Sequence, residues 1–218
     1  MTVAEELADL PYADLLRPHT GPLAVDGDYD TVHFDRLSFE DGEAAGGSRF
    51  LESAVTDCVF SGVSLRRSRF NDLWAYGTRL TGVSLAETNW VDSALVGCSL
   101  AGVEAFGAVL RRVVLRRCKL DSVNLRGAQL HDVAFEDCVL RDVDLGEAAL
   151  NGVTFPGSRL ERVKLGRATL KKADLRGAVA VDLADGYDSL RGALISSTQL
   201  LDLAPALAAT LGIVVEDG

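Results

Sequence analysis

A period of five residues nested inside a period of twenty constrains this chain more than any other feature. Between residues 50 and 175, 22 of the 26 positions at multiples of five are Leu or Phe, and the exceptions are Val55, Ala75, Trp90 and Ala105. Two residues before each of these central positions lies a small residue, with Leu73 the one exception. Neither a helix nor a simple strand has a period of five. The pattern predicts a coil with four faces of five residues each.

The same spacing predicts what fills the interior. In an extended segment, residues two apart point the same way, so each face turns one large and one small side chain inward. Twenty residues per coil place residue n beside residue n+20, with strands about 4.8 Å apart. The sequence thus predicts an all-β solenoid with a stacked core that includes Phe60, Leu80, Leu100, Leu120, Leu125, Leu140 and Leu160.

The repeat divides the chain into three parts. Residues 1–28 are predicted to be a helical lead-in or cap, with a Thr2 and Glu5 capping box and a first helix that Pro11 ends; a partly frayed tail is the alternative. Residues 29–195 are the repeat region, irregular near 42–47, where one residue is inserted, and near 178–189, where Ala180 and Asp185 fill central positions poorly.

Residues 196–218 are predicted to be a terminal segment that covers the end of the coil or forms a dimer. Ser196 and Gln199 fit a capping box before a helix from Gln199 to Leu211, in which Pro205 is expected to cause a kink or a break. Gly212 fits a C-terminal cap, and residues 213–215 are predicted to be a short strand. Solenoids need such caps because an open stack exposes apolar residues.

Charge and hydropathy limit the kinds of partner. The net charge of −10 comes from the ends: residues 1–47 carry −9, residues 48–177 carry +4 and residues 178–218 carry −5. Direct nucleic-acid binding is therefore not expected. No apolar run approaches the length of a membrane span, and the acidic start lacks the features of a signal peptide. We expect a cytoplasmic protein without membrane contact.

Residues that could carry chemistry are better explained by the coil. His19, His33 and His131 are far apart in sequence and have no metal-ligand spacing. The four cysteines at positions 58, 98, 118 and 138 share the small inward slot, which Thr78 and Ser158 also occupy, so size and not sulfur is selected. A filled interior leaves no substrate pocket. We predict no catalytic residue, cofactor or metal, and no enzyme activity.

Two groups of outward residues are candidate partner contacts. Trp74, Tyr76 and Phe106 adjoin the small central residues Ala75 and Ala105, and they form either an aromatic contact patch or a local repacking around those alanines.

A basic run forms the second group, which contacts an anionic partner or is simply a solvated surface. Its members are Arg111, Arg112, Arg116 and Arg117.

The repeat resembles the pentapeptide repeat family, whose motif is A(D/N)LXX. It reads Ala173-Asp174-Leu175-Arg176-Gly177 near the end of the body, and Val123-Asn124-Leu125-Arg126-Gly127 with Val in the first place. The resemblance covers about residues 29–195 and implies a right-handed quadrilateral β-helix.

The resemblance also implies a function. The best-known relatives bind DNA gyrase, give fluoroquinolone resistance, form rod-like homodimers through their C-terminal ends and are thought to imitate DNA. The uninterrupted body is more similar to the mycobacterial type than to the plasmid-borne type, which has loops in mid-rod. However, no face of the body carries more than one acid in excess of its bases, which disfavours DNA mimicry.

Two hypotheses follow. The first is a non-catalytic interaction rod, with gyrase as the specific partner. The second is a structural scaffold of unknown partner that leaves topoisomerase activity unchanged.

Overall fold

The strands of this chain wind into a parallel β-solenoid of about eight turns. The structure is a computed structural model that describes residues 4–40, 42 and 44–216. Each coil has four faces, which we number in chain order. Faces 1, 2 and 3 are continuous parallel sheets, and face 4 is a column of isolated bridges from Ala44 with Ser64 to Asp144 with Lys164.

Most strands are three residues long, because each face contributes one short extended segment between two corners. Face 1 comprises β2 (Asp28–Asp30), β5 (Arg49–Leu51), β8 (Arg69–Asn71), β11 (Asn89–Val91), β14 (Val109–Arg111), β17 (Gln129–His131), β20 (Ala149–Asn151) and β22 (Thr169–Lys171). Face 2 comprises β1 (Arg17–Pro18), β3 (Val32–Asp35), β6 (Ala54–Thr56), β9 (Trp74–Tyr76), β12 (Ala94–Val96), β15 (Val114–Arg116) and β18 (Ala134–Glu136). Face 3 comprises β4 (Ser38–Phe39), β7 (Val59–Ser61), β10 (Arg79–Thr81), β13 (Ser99–Ala101), β16 (Lys119–Asp121), β19 (Val139–Arg141), β21 (Arg159–Lys164) and β23 (Ala180–Asp185).

The core is a set of ladders in which residue n packs on residue n+20. Leu100, for example, pairs with Leu80 on one side and Leu120 on the other. All seven residues that the sequence places in the core are buried: Phe60, Leu80, Leu100, Leu120, Leu125, Leu140 and Leu160. Burial of these aliphatic columns supplies the main stabilisation of the fold.

Aromatic rings replace the aliphatic column at the N-terminal end of face 1. Tyr29, Phe50, Phe70 and Trp90 stack in adjacent coils, with ring centroids 4.8, 4.9 and 3.9 Å apart. The Trp90 indole N–H donates to the hydroxyl of Thr88 at 3.0 Å, so its polar atom is satisfied inside the core.

Each corner of the coil needs one residue with a left-handed backbone conformation, which explains why glycine recurs at corner positions. Gly77 has a φ of +59°, and a Cβ there would lie 2.3 Å from the Oδ1 of Asp57 in the preceding coil. Asp57 itself is left-handed, with a φ of +50°. Small and Asx residues tolerate this conformation best.

The register of the coils shifts at the two places where the sequence departs from the five-residue repeat. Phe39 pairs with Phe60, twenty-one residues on, whereas Ala44 bridges Ser64, so the inserted residue lies between Phe39 and Ala44. Near the C-terminal end, Val181 pairs with Leu160, so Val181 takes the central position that Ala180 was predicted to fill poorly. A second one-residue insertion after Leu175 is the physical reason.

Asp185, the other residue predicted to fit a central position poorly, has a different role. Its Oδ1 accepts from the backbone N–H of Leu165 at 3.0 Å and of Gly166 at 2.9 Å. The Leu165 N–H also reaches the backbone carbonyl of Asp185 at 3.4 Å, so the side chain adds to the backbone pairing between these two coils.

The two ends differ from the sequence prediction. The lead-in forms two short 3-10 turns, Leu7–Asp9 and Ala13–Leu15, instead of longer helices, and its strand β1 (Arg17–Pro18) pairs with β3. Thr2 of the predicted capping box lies outside the described residues.

A third 3-10 turn, Tyr187–Leu190, precedes the C-terminal segment, and this segment contains helix α1 (Ser197–Thr210). Ser196 and Gln199 make both capping-box bonds, and the helix continues through Pro205 without a break. Gly212 and Ile213 donate to the carbonyls of Ala209 and Ala208, which is a Schellman cap.

Residues 213–215 form no strand, contrary to the prediction. The exposed side chains of this tail, from Ile213 to Val215, do not lie against a sheet edge.

Two small voids interrupt the otherwise filled interior. One of about 50 Å³ lies beside Ala105, and one of about 40 Å³ lies beside Ala75. Each adjoins a central position where Ala replaces a larger residue, so the expectation of a completely filled core is wrong at these two coils. Both voids are far smaller than a ligand pocket.

Filling the larger void is expected to stabilise the protein. Leu already occupies the equivalent position one coil away on each side, at Leu85 and Leu125, and both line the void beside Ala105. At about 24 cal/mol per Å³, Ala105→Leu should raise the free energy of unfolding by about 1 kcal/mol. Denaturant unfolding measures this change, and a destabilised variant would show that the void cannot accept the side chain.

Candidate interaction surface

The interior offers no site for chemistry in the part of the chain that the structure describes. Within residues 4–40, 42 and 44–216, no three His, Cys, Asp or Glu side chains converge as a metal site. The interior voids are lined almost entirely by apolar side chains.

The cysteine column is a packing feature. Cys98, Cys118 and Cys138 are each 1% exposed, and their thiols donate to carbonyl oxygens of the preceding coil. A hydrogen bond with Cys118, together with burial, raises the pKa of Cys138 and keeps this thiol protonated. The hydrogen bond from Cys118 lowers the pKa of Cys98, but the sulfur is shielded from solvent.

The histidines are separate, and two have structural roles. The ring of His19 packs 4.5 Å from Phe34 and 5.5 Å from Tyr29, over the N-terminal end of the core. His19 is therefore only partly exposed. The Nε2 of His33 lies 2.8 Å from the Thr56 hydroxyl, and His131 pairs in the sheet of face 1.

The outer side of face 2 carries an unusual apolar strip. We define the outer strip as five outward side chains that are all buried: Ala54, Trp74, Ala94, Val96 and Val114. Nothing in the coil requires apolar residues there, because the corresponding ladder of face 3 includes Arg79, Ser99 and Lys119. The strip is therefore a property of face 2 and not of the repeat.

An N-terminal arm covers the outer strip. We define the arm as residues 4–16; its Leu10 and Tyr12 are buried against the strip, with Leu7 and Leu16 partly buried beside them. Between arm and face lies a groove of about 570 Å³ that Asp9, Asp72 and Asp92 help to line.

Few polar contacts hold the arm. The indole N–H of Trp74 donates to the Ala4 carbonyl at 3.0 Å, and the Tyr12 hydroxyl donates to the Asp72 carbonyl at 2.5 Å. Glu5 accepts from Arg117 at 2.7 Å and also from Arg116. These two hydrogen bonds lower the pKa of Glu5, so the carboxylate stays charged.

Two titratable groups that line the groove, Asp72 and Tyr12, lie in an environment that disfavours their charged forms. Burial, followed by the charges of Asp92 and Glu52, raises the pKa of Asp72. Burial, followed by Asp72 and Glu52, raises the pKa of Tyr12. The charged form is thus favoured for Glu5 and disfavoured for Asp72.

The predicted aromatic patch is divided. Trp74 points outward, as expected, but only 3% of it is exposed because the arm covers it. Tyr76 is 41% exposed and stacks on Trp74 at 5.6 Å. Phe106 is on another face, under the guanidinium of Arg66 at 5.6 Å. The three aromatic residues do not form one continuous surface.

Three residues of the basic run, Arg112, Arg116 and Arg117, make ion pairs with acidic residues of neighbouring coils or of the arm. Arg112 binds Asp92 with two bonds of 2.6 Å, one coil away. Arg116 binds Glu136 at 2.7 Å and contacts Glu5 of the arm, which also pairs with Arg117. Arg111 is part of β14 on face 1.

Exposed pairs such as these add little stability each. Their main effect here is to reduce the positive charge that the run offers to an anionic partner.

Sequence reasoning missed the docking of the arm. A usable signal exists, since the outward residue before the central position of face 2 is apolar in five successive coils: Ala54, Trp74, Ala94, Val114 and Ala134. An apolar outward column needs a cover, and the apolar residues of the arm could have been matched to it.

Comparisons with known proteins give one family match and several similar structures. A family model described as a pentapeptide repeat region matches residues 89–175. QnrB1, described as a plasmid-mediated fluoroquinolone resistance protein, is 17% identical in its trypsin-treated form; the match covers 92% of this chain and all of that one, with a TM-score of 0.49. The full-length form is also 17% identical over 90% of this chain and all of that one, with a TM-score of 0.42.

A pentapeptide repeat protein of the Arabidopsis thaliana thylakoid lumen is 24% identical, over 47% of this chain and 71% of that one, with a TM-score of 0.39. The search of curated proteins finds no match.

The coil of five-residue faces, stacked every twenty residues, defines a parallel β-solenoid. The family match identifies residues 89–175 as a pentapeptide repeat region. Of the helices within the described residues, none has the length and apolar composition that crossing a membrane requires.

Proposed function

We propose that this protein is a non-catalytic interaction rod that presents its outer faces to a protein partner. The observation that carries the proposal is the packed core, whose voids of about 50 and 40 Å³ leave no room for a substrate. We place this role in the cytoplasm, in keeping with the expectation from the sequence.

The specific partner that we propose is DNA gyrase. The support is the match of residues 89–175 to a pentapeptide repeat region, a repeat whose best-known bearers bind this enzyme. Among the similar structures, QnrB1 carries the description of a plasmid-mediated fluoroquinolone resistance protein. The proposed effect is modulation of gyrase and, with it, fluoroquinolone resistance.

Imitation of DNA is not part of this proposal. A DNA mimic needs regularly spaced negative charge, whereas acids on this rod alternate with bases. On face 3, for example, Arg141 lies between Asp121 at 3.7 Å and Glu161 at 3.1 Å. A gyrase contact would therefore depend on local shape and apolar residues more than on a row of carboxylates.

Homodimerisation through the C-terminal end is a further part of the proposal. Helix α1 and the tail after it expose apolar side chains, notably Leu201 at 74% and Val214 at 79%. Exposed apolar patches commonly mark interfaces. Light scattering after size-exclusion chromatography should show a dimer, and Leu201→Asp should shift it to monomer; a monomeric wild type would contradict this part.

The scaffold hypothesis remains the second candidate, and the neutralised charge ladders favour it over DNA mimicry. A gyrase supercoiling assay, with and without a fluoroquinolone, separates the two. We expect the purified protein to change the supercoiling rate or protect it from the drug in a concentration-dependent way. No effect at a large molar excess over gyrase would reject the gyrase proposal and leave the scaffold role.

A further inference from the structure

The arm and the outer strip together have the form of a docking site filled by the chain's own segment. We propose that the outer strip is a binding site for a short acidic–apolar peptide segment of a partner protein. Residues 4–16 occupy the strip in competition with that segment.

The first argument is that the solenoid does not need the arm. After the first coil, the backbone hydrogen bonds of face 2 join neighbouring coils. Examples are the bonds from Trp74 N–H to the Ser53 carbonyl and from Ala94 N–H to the Leu73 carbonyl. The sheet pairing nearest to the arm is that of β1 (Arg17–Pro18), which directly follows the arm in the chain and pairs with β3. Detachment of residues 4–16 would leave these coil-to-coil hydrogen bonds of face 2 intact.

The second argument is that the arm is held loosely. Its internal backbone bonds are local, such as Leu10 N–H to the Leu7 carbonyl and Leu16 N–H to the Ala13 carbonyl. Leu10 and Tyr12 are its buried residues within positions 4–16. The groove of about 570 Å³ beneath it shows that arm and face do not fit closely.

The third argument is the chemistry that the arm itself reveals. The strip accepts Leu10 and Tyr12, and the guanidinium groups of Arg116 and Arg117 receive a carboxylate, Glu5, at the end of the strip. A competing segment would therefore place one acidic residue ahead of two or more large apolar residues. Such a segment would gain access to Trp74, a residue type common at the centre of protein interfaces.

The experiment uses the full chain and a labelled synthetic peptide with the sequence of residues 2–18. Leu10→Asp should release the arm, because it puts a charge where an apolar side chain is buried. Leu15→Asp is the matched control, since it adds the same charge to the same arm at a residue that is 64% exposed.

We expect the peptide to bind Leu10→Asp at least tenfold more tightly than it binds the wild type or Leu15→Asp. The emission of Trp74 should shift to longer wavelength in Leu10→Asp, with an unchanged circular dichroism spectrum. Adding Ala94→Arg, or both Arg116→Glu and Arg117→Glu, to this variant should abolish peptide binding. A peptide with Glu5→Lys and Glu6→Lys should bind at least fivefold more weakly.

Three outcomes would overturn the proposal. The peptide could bind all variants equally, or it could fail to bind Leu10→Asp although the arm is released. Alternatively, Leu10→Asp could dimerise through the strip without binding peptide, which would assign the strip to a second copy. The use of the outer strip by a partner protein rests on the proposed interaction role. The peptide assay contains no gyrase, so a negative result there leaves the outcome of the supercoiling test unaffected.

Discussion

Leu140→Ala should lower the free energy of unfolding by about 2–5 kcal/mol. Leu140 is fully buried on face 3, between Leu120 and Leu160 in the adjacent coils. Removal of its side chain leaves a cavity in a ladder whose neighbours are fixed by sheet hydrogen bonds and cannot move in to fill it. For a chain of this size, the midpoint of thermal unfolding should fall by roughly 4–20 °C.

The control for this variant is Lys119→Ala, on the same face but exposed. Surface changes of this kind usually alter stability by less than about 0.5 kcal/mol. If Leu140→Ala melts at the temperature of Lys119→Ala, residue 140 does not lie in a packed core.

Ala128→Leu should destabilise the protein by about 1–3 kcal/mol through overpacking. Ala128 fills the small inward slot of its coil and is fully buried, as are Ala108 and Ala148 one coil away on either side. A Leu side chain there has no void to enter and must displace its neighbours.

Ala105→Leu is the matched comparison, because the same substitution is expected to stabilise the protein where a void exists. The two variants should therefore shift the urea midpoint in opposite directions. Equal shifts of either sign would contradict the assignment of large and small inward slots.

Much of the fold can be predicted from the sequence because one geometric unit is repeated. The period of five identifies central residues such as Leu100, and the period of twenty identifies their neighbours in the stack. Prediction fails where a single insertion shifts the register, as at Val181, since no repeat then indicates which residue points inward.

The candidate surface was less predictable for a different physical reason. The inward pattern is set by local geometry, whereas the cover over Trp74 depends on a segment about seventy residues away in sequence. The partners of Arg116 and Arg117 likewise include Glu5, which no periodicity connects to them. Sequence alone identified the outward aromatic and basic residues, but not which of them remain accessible.

The central claim is that residue n lies beside residue n+20, and one crosslinking measurement tests it most directly. Ser99 and Lys119 are outward partners on neighbouring strands of face 3, about 4.8 Å apart at the backbone, which is within disulfide range. Val109 is nearer to Lys119 in sequence but belongs to face 1.

Under mild oxidation, Ser99→Cys with Lys119→Cys should form an intramolecular disulfide, and Val109→Cys with Lys119→Cys should not. The loss of two free thiols, counted in denaturant, reports the bond. A disulfide between positions 109 and 119, with none between positions 99 and 119, would contradict the solenoid.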